Sequence, residues 1–477
     1  MKLHRIITPL AALALAGCAS IAPDGLRGQV QEHTQGRLPA DAQLPSTDAE
    51  AQRDAQEHIA GWLRQPLDQD TAVRIALLNN PDLHAQLAAL AAQDADRAQA
   101  LTLFNPTLTL GRFTSGRERE IERQIGFGLV DVLTLPWRSR WLGWQMEQST
   151  LQASQNVLLI AADTHRAWLR AVASEQSLAA ALRMNDAARL GAELAARMAR
   201  AGNFSKLQQA RELAIAQETA AQLARAQLTA NLDREQLARM MGLWGPGAAF
   251  ELPGQLPALP RSASELRPGD DAEATALRER LDLRALRREL EVAADRGGWP
   301  AVGTVFADIG ATYSSNRTSD RETGQRDKTH GWELELPLPI FDWGGAASAR
   351  ARAEVRRSAA QLQSAALRAR GEARTSWLRY RTAWDLAHQQ QSQVLPLAKL
   401  MQDETMLRYN GMFDSVWQLL AQARATTRAV MNATDAQRDF WLAETDLQFA
   451  LAGGSPGPFA AADSSPASSI NNNEQGH

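Results

Sequence analysis

The chain has 477 residues, of which 44% are hydrophobic and 22% are charged, and this composition excludes a chain that is disordered throughout. Its length suits two or three ordinary domains or one long repeat structure. The formal net charge is −3, with both signs spread along the sequence, which argues against nucleic acid as a partner.

The N-terminus carries the only cysteine of the chain, Cys18. A basic start is followed by an apolar stretch over residues 6–16, which is typical of a secretory signal and too short to cross a bilayer as a helix. Residues 1–17 are therefore predicted to be a signal peptide. Residues 15–18, Leu-Ala-Gly-Cys, resemble a bacterial lipobox, which implies that Cys18 is acylated; Ala19 favours delivery to the outer membrane. An ordinary signal with a cysteine at its cleavage site is the alternative.

Three segments lack a sustained hydrophobic period. Residues 18–66 are polar and predict a lipidated, mostly extended segment with a short helix around 49–63. Residues 245–270 carry five prolines and four glycines, which is typical of a linker, and residues 453–477 have the composition of a disordered tail.

Two long blocks, 67–244 and 271–452, are predicted to be tandem repeats because three landmarks recur in the same order. The pairs are Asp82-Leu83 with Asp282-Leu283, Trp168-Leu169-Arg170 with Trp377-Leu378-Arg379, and Gly202-Asn203-Phe204-Ser205 with Gly411-Met412-Phe413-Asp414. The last two pairs share a spacing of 209 residues, which predicts no insertion between them.

Each block contains a long stretch of helix-forming residues. These stretches predict helices of about 60 residues over 140–200 and 344–409, each about 90 Å long, with Pro396 kinking the second. In the helix that follows the first of them, two apolar stripes have coiled-coil spacing. The stripes are Leu207, Ala214, Ala221 and Leu228, and Ala216, Leu223, Ala230 and Leu237.

A turn is predicted at the end of each long helix. Gly202 can adopt the left-handed conformation that ends a helix, and Ser205 with Gln208 forms a capping-box pattern. Gly411 and Asp414 are predicted to be their counterparts, with Asp414 as the cap. The two tips, 202–205 and 411–414, therefore predict two antiparallel helical hairpins, against the alternative of uninterrupted helices.

Four segments with alternating apolar and polar residues precede the long helices, near 104–113, 122–132, 302–314 and 330–339. Each has about the length of a transmembrane strand, although a soluble hairpin would alternate in the same way. Charged stretches over 115–123 and 314–329 predict loops between them. Known membrane barrels need at least about 8 strands, so four strands in a membrane would require several chains to share one barrel.

Three motifs of the chain resemble those of the TolC family of outer-membrane factors. They lie at residues 76–83 (Ala-Leu-Leu-Asn-Asn-Pro-Asp-Leu), 337–345 (Pro-Leu-Pro-Ile-Phe-Asp-Trp-Gly-Gly) and 408–414 (Arg-Tyr-Asn-Gly-Met-Phe-Asp). The resemblance covers residues 67–452. It implies a mostly α-helical fold with a small transmembrane β part, in which a homotrimer forms a 12-stranded β-barrel that continues into a long α-helical barrel.

The same resemblance implies a passive, gated duct anchored in outer-membrane lipid, with its helical part in the periplasm. The tip residues would contact a periplasmic adaptor protein, which links the duct to an inner-membrane pump of the RND type. These tip residues are Gly202, Asn203, Phe204, Ser205, Gly411, Met412, Phe413 and Asp414.

The chain departs from the family at the gate. Well-known members carry two carboxylates after the second tip, where this sequence has Trp417 and Leu420. The gate is therefore expected to close by apolar contacts, or by Asp414 in a different register. The gate candidates are Arg408, Asp414, Trp417 and Leu420.

The rival functions differ in class. No histidine pair has metal-ligand spacing and no nucleotide or nucleophile motif is present, so the sequence predicts no catalytic residue, metal site or cofactor. The alternative to a channel is a periplasmic coiled-coil lipoprotein that serves as adaptor or scaffold. The sequence leaves open the substrate (metal ion, drug or protein), the pump, and the choice between efflux and type I secretion.

Overall fold

A computed structural model describes residues 20–103, 105–116, 118–245, 249–297, 309–320, 323–335, 340–341 and 343–457. The predicted signal peptide at 1–17 and Cys18 lie outside these residues. So do residues 302–308 and 336–339 of the predicted strands and residues 458–477 of the predicted tail.

The order of elements runs through helices, a strand pair and a helical hairpin, and then through the same order again. The helices are α1 (Arg27–Thr34), α2 (Ala49–Trp62), α3 (Gln69–Asn79), α4 (Pro81–Leu101), α5 (Leu129–Arg200), α6 (Lys206–Met240), α7 (Ala272–Glu279), α8 (Leu281–Gly297), α9 (Gly345–Gln389), α10 (Leu395–Asn410) and α11 (Val416–Ala452). The strands are β1 (Thr107–Ser115), β2 (Glu118–Gly128), β3 (Gly310–Asp320) and β4 (Arg326–Glu335). A π-helical turn, Gln390–Val394, connects α9 to α10.

Helix α5 is the longest element, with 72 residues, and spans about 108 Å. It begins at Leu129 rather than at the predicted residue 140 and includes Pro136. It packs against α6, and also against α11 and α8, so both hairpins share one bundle. Among the described helices, none combines the length and the apolar character needed to cross a membrane.

The four strands form one antiparallel sheet in the order β1-β2-β3-β4. All of them lie closer to the hairpin turns than predicted. The stretches 115–123 and 314–329 were expected to be loops because they are charged, but much of each belongs to the ladder, where Glu120 pairs with Phe113 and Arg317 with Lys328. Charge does not prevent strand pairing when both faces of the sheet can place side chains in polar surroundings.

Two of the segments without a hydrophobic period, residues 20–66 and the described part of 245–270, are more ordered than expected. The predicted short helix is present as α2, but the N-terminal segment also contains α1, whose Val30 is buried beside α3 and α4. The predicted linker wraps along the helices, and its carbonyl groups accept hydrogen bonds from three tryptophan indoles. Those bonds run from Trp377 to Arg267, from Trp384 to Pro260 and from Trp441 to Pro257.

Asn79 and Asn80 connect the start of α4 to the end of α6. The Asn80 carboxamide oxygen accepts from two backbone N–H groups in the first turn of α4, while its nitrogen donates to the Met240 carbonyl. Asn79 donates to the carbonyls of Met241, at 3.0 Å, and Gly242, at 2.9 Å. These contacts explain why the Asn-Asn-Pro sequence stands where the first hairpin returns to the helices that precede it.

The corresponding junction of the second half contains Glu279 and Arg280. A carboxylate cannot donate to a carbonyl, and Arg37 from the N-terminal segment bridges the gap. Arg37 donates to the Glu279 carboxylate at 3.0 Å and to the Ala452 carbonyl, at the end of α11, at 3.3 Å. Through Arg37, the N-terminal segment therefore connects the end of α7 to the end of α11.

Arg280 is a buried cation, with 2% of its surface exposed. It forms ion pairs with Asp282 and Glu372, both at 2.7 Å. Burial alone would lower the pKa of Arg280, but the hydrogen bonds and charges of the two carboxylates outweigh it, so the pKa is raised.

Candidate functional site

The first tip has the predicted turn chemistry. Gly202 is left-handed, with φ 77°, and the N–H groups of Gly202 and Asn203 donate to the carbonyls of Ala199 and Met198. This pattern is the Schellman motif that ends a helix. Ser205 begins α6 with a capping box to Gln208, as predicted.

The second tip uses the same turn one residue later than predicted. Gly411 has φ −80°, and Met412, with φ 62°, is the left-handed residue. Ser415 is the cap and forms a capping box with Gln418. The predicted roles of Gly411 as the counterpart of Gly202 and of Asp414 as the cap are therefore wrong, and the turns are 210 residues apart.

The π-helical turn accounts for the extra residue. Trp168 and Trp377 are 209 residues apart, and each donates its indole N–H to the carbonyl of a preceding segment, Leu67 and Arg267 respectively. A π turn inserts one residue into an α-helix, and this one lies between Trp377 and the second tip, where it ends two residues before Pro396. A regular helix would bring the proline ring against the Ser392 carbonyl. The predicted absence of an insertion is thus wrong.

Asp414 and Arg408, two of the gate candidates, bind each other. Arg408 Nε donates to Asp414 Oδ2 at 2.7 Å, and this hydrogen bond raises the pKa of Arg408. The pair lies across the tip turn. Asp414 is therefore engaged within its own hairpin instead of capping α11.

The other two gate candidates join the two hairpins. Trp417 stacks on Phe204 of the first tip, with ring centroids 4.9 Å apart. Leu420 lies against Gly191 of α5, so closely that a Cβ at Gly191 would be 3.2 Å from the leucine Cδ1. We call Phe204, Trp417, Leu420 and Gly191 the tip seam. Met412 and Phe413 remain exposed at the end of the second hairpin, at 93% and 80%.

The sheet separates its charges by face. Paired residues of neighbouring strands point to the same side, and successive residues of one strand point to opposite sides. On the described strands, one face holds every arginine and lysine and the other holds every carboxylate. The basic face carries Arg112, Arg119, Arg123, Arg317, Arg326 and Lys328; the acidic face carries Glu118, Glu120, Glu122, Asp320, Asp327, Glu333 and Glu335.

This separation of charge was not predicted from the sequence. The signal was present in Glu118-Arg119-Glu120 and Arg326-Asp327-Lys328, where the sign of the charge alternates with the period of a strand. The same faces continue the apolar alternation, because Tyr313 and Trp332 lie on the basic face, with ring centroids 5.1 Å apart.

His165 is the most strongly perturbed histidine of the described chain. It lies on α5 beside a cavity of about 400 Å³, within hydrogen-bond distance of Gln69, at 3.0 Å, and Thr445, at 3.3 Å. Burial and the neighbouring Arg166 charge lower its pKa to about 4. The imidazole is neutral at pH 7 and packs between three helices.

This pKa predicts a loss of stability in acid. Below pH 6.5 the unfolded chain takes up a proton at His165, and the folded chain does so only near pH 4, so stability falls as the pH falls through that window. The full effect is about 3 kcal/mol. We expect His165→Gln to flatten the dependence of the denaturation midpoint between pH 7 and pH 4. The exposed His58, changed to Gln, is the control; an unaltered slope in His165→Gln would contradict the assignment.

Within the described residues, no group of three His, Cys, Asp or Glu side chains is arranged to hold a metal ion.

Comparison with known proteins identifies the fold. The chain matches no family model and no curated protein. Among solved structures, the CmeC outer membrane channel of Campylobacter jejuni is 14% identical, with a TM-score of 0.66 over 89% of this chain and 92% of that one. The outer membrane protein VceC of Vibrio cholerae is 17% identical, with a TM-score of 0.64 over 83% and 99%. The MtrE outer membrane channel of Neisseria gonorrhoeae, in its open state, is 16% identical, with a TM-score of 0.62 over 81% and 90%.

These likenesses define the class of structure as that of the outer-membrane channels. The chain has a mostly α-helical, TolC-like fold, which confirms that part of the fold implied by the three sequence motifs.

Proposed function

We propose that this chain is a subunit of an outer-membrane channel in a tripartite efflux system. It would be a passive duct that conducts substrate from an inner-membrane pump to the cell exterior. The observation that carries the proposal is the shared fold, which extends over 92% of the CmeC chain and 99% of the VceC chain. The names of those proteins describe an outer membrane channel and an outer membrane protein.

Unpartnered apolar stripes support assembly into a homotrimer. On α6, the stripe that includes Ala230 and Leu237 is buried at its end against α5, whereas the stripe of Leu207 and Leu228 is exposed. Helix α10 carries a second exposed stripe. Its members are Leu397, Leu400, Met401 and Leu407. One stripe lies on each hairpin, so the α6 stripe of one chain can cover the α10 stripe of the next and close a ring.

The sheet supports a shared barrel in the outer membrane. Strands β1 and β4 are open edges, and open edges are excluded from lipid. Three chains would supply 12 strands, with the apolar and basic face outward and the acidic face toward the lumen. A lumen lined by carboxylates would favour cations over anions. Acylation of Cys18 would add a lipid anchor.

The exposed tips support docking to a periplasmic adaptor. Gly202, Asn203, Met412 and Phe413 are exposed in the single chain. Met412 holds its apolar side chain outward on a left-handed backbone, which is unfavourable for methionine. Unfavourable backbone conformations concentrate at functional sites. An apolar pocket on the adaptor would bind the exposed side chains of Met412 and Phe413.

The tip seam supports an apolar gate. The Phe204–Trp417 stack holds one hairpin tip against the other and is worth about 1 kcal/mol per chain. We expect Trp417→Ala to increase the closed-state leak conductance, because each lost stack shifts the closed-to-open ratio about fivefold. The control is Trp244→Ala, since Trp244 is 87% exposed. Equal leak conductance in the two variants would show that Trp417 does not contribute to the closed gate.

The proposed function is tested by where the chain resides and how it assembles. Outer-membrane fractions should yield a cross-linkable trimer that requires detergent for extraction, also in Cys18→Ser cells. Recovery of the Cys18→Ser chain as a monomer without detergent would favour the periplasmic coiled-coil lipoprotein instead.

A further inference from the structure

The basic face of the sheet has a graded composition along the strands. Nearest the helices, one row across the four strands contains Leu108, Ile125, Tyr313 and Trp332. The next row toward the turns contains Leu110, Arg123, Ser315 and His330; then come Arg112, Ile121, Arg317 and Lys328; and last Thr114, Arg119, Ser319 and Arg326. The face therefore changes from apolar and aromatic to basic in the direction of the hairpin turns.

We call the six arginine and lysine side chains of these rows the basic belt. No carboxylate of the described residues forms an ion pair with any of them. The nearest carboxylates in the ladder point to the opposite face of the sheet. In addition, Arg119 Nε is buried with no hydrogen-bond partner.

A solvated hairpin would give a simpler account of charged strands. Such a hairpin mixes both signs on one face, because opposite charges on facing strands stabilise each other. Here Arg317 faces Lys328 directly, and like charges in that position repel. The positive charges on this face repel each other, and the described strands place no carboxylate on the same face to neutralise them. An external partner of negative charge would relieve this repulsion.

We propose that the basic belt binds the phosphate groups of phosphorylated lipids in the outer leaflet of the membrane. The inference rests on the proposed function, which puts this face toward lipid and the turns toward the cell exterior. The apolar row with Tyr313 and Trp332 would lie at the acyl boundary, where aromatic girdles lie. The belt begins one row farther out, at the level of the headgroups. The guanidinium group of arginine can donate two parallel hydrogen bonds to one phosphate.

The test uses the purified full-length chain in detergent and fluorescent lipopolysaccharide as the probe, with and without its phosphates. We expect at least about tenfold tighter binding of the phosphorylated form, since each basic side chain near a charged headgroup contributes about a factor of five. Combined substitution of Arg112→Gln, Arg317→Gln and Lys328→Gln should abolish this preference.

The matched control replaces three exposed arginines of α6, Arg211, Arg225 and Arg239, with Gln, which changes the net charge equally. This variant should keep the preference. The inference is overturned if the unchanged protein does not distinguish the two probes, or if the belt variant distinguishes them as before.

Two further readouts keep the result interpretable. If the belt variant does not fold, the salt dependence of binding by the unchanged protein provides the test. Its affinity for the phosphorylated probe should fall steeply with salt, whereas its affinity for the probe without phosphates should not. Conductance is measured on the same preparation. Channels without phosphate preference would overturn the belt only, whereas absence of conductance would overturn the channel itself.

Discussion

Replacing Arg280 with alanine should lower the free energy of unfolding by about 3 kcal/mol. The substitution leaves Asp282 and Glu372 without the cation that joins them. Removing one partner of a buried ion pair typically costs about 3–5 kcal/mol. The lower end applies because both carboxylates are about one-fifth exposed and can recruit water. The midpoint of urea unfolding in detergent, followed by tryptophan fluorescence, measures the loss.

Arg278→Ala is the control for this prediction. Arg278 lies two residues away and also pairs with a carboxylate, Glu279, but its side chain is 69% exposed. An exposed pair contributes less than about 1 kcal/mol, so the control should unfold nearly as the unchanged chain does. A loss below 1 kcal/mol in Arg280→Ala would show that the buried triad does not hold α8 to α9.

Gly242→Ala should be still more damaging, with a loss of more than about 3 kcal/mol. Gly242 is left-handed, with φ 67°, which costs an alanine about 1–2 kcal/mol. Its added Cβ would lie 2.3 Å from the Asn79 carbonyl oxygen, and backbone cannot move aside cheaply. Relief of that clash would break the Asn79 hydrogen bonds, each worth about 1 kcal/mol. The same unfolding experiment measures the effect.

Gly202→Ala separates the two contributions. Gly202 is also left-handed, but an added Cβ would meet nothing within 4 Å. Only the conformational cost should appear, about 1–2 kcal/mol. Equal losses in the two variants would mean that the junction between Asn79 and the end of α6 is not formed as described.

Local signals allowed the first tip to be predicted in full. Gly202, Ser205 and Gln208 specify a turn and a capping box without help from the rest of the chain. The prediction for the second tip was wrong for a local reason as well. Asp414 and Ser415 are both good caps, and the choice depends on the residue three positions later. Gln418 can complete the box with Ser415, whereas Trp417 cannot complete one with Asp414.

The π turn could not be predicted from its own residues. Gln390–Val394 are ordinary helix formers, and the insertion becomes visible only when both hairpins are placed on one bundle. The inserted residue shifts the turn by one position, so Met412 occupies the left-handed position. Methionine itself carries no signal for this conformation. Tertiary packing therefore decided the register that sequence spacing misjudged by one residue.

The strands show the opposite case, in which a signal was present and outweighed. Polar composition assigned residues 115–123 to a loop, although Glu120 and Arg123 continue the ladder of β2. Alternation of charge sign has the same period as alternation of hydrophobicity, and only the second was used to set the strand ends. The two-sided charge of the sheet follows from that alternation.

Single-channel recording shows whether the assembled chain forms a conducting pore. The purified full-length chain, cross-linked as a trimer, is added to a planar lipid bilayer of stated composition. We expect discrete conductance steps that favour cations over anions, because one face of the sheet carries the carboxylates. A trimer that inserts and conducts nothing, or a chain that remains a monomer and leaves the bilayer unchanged, would contradict it.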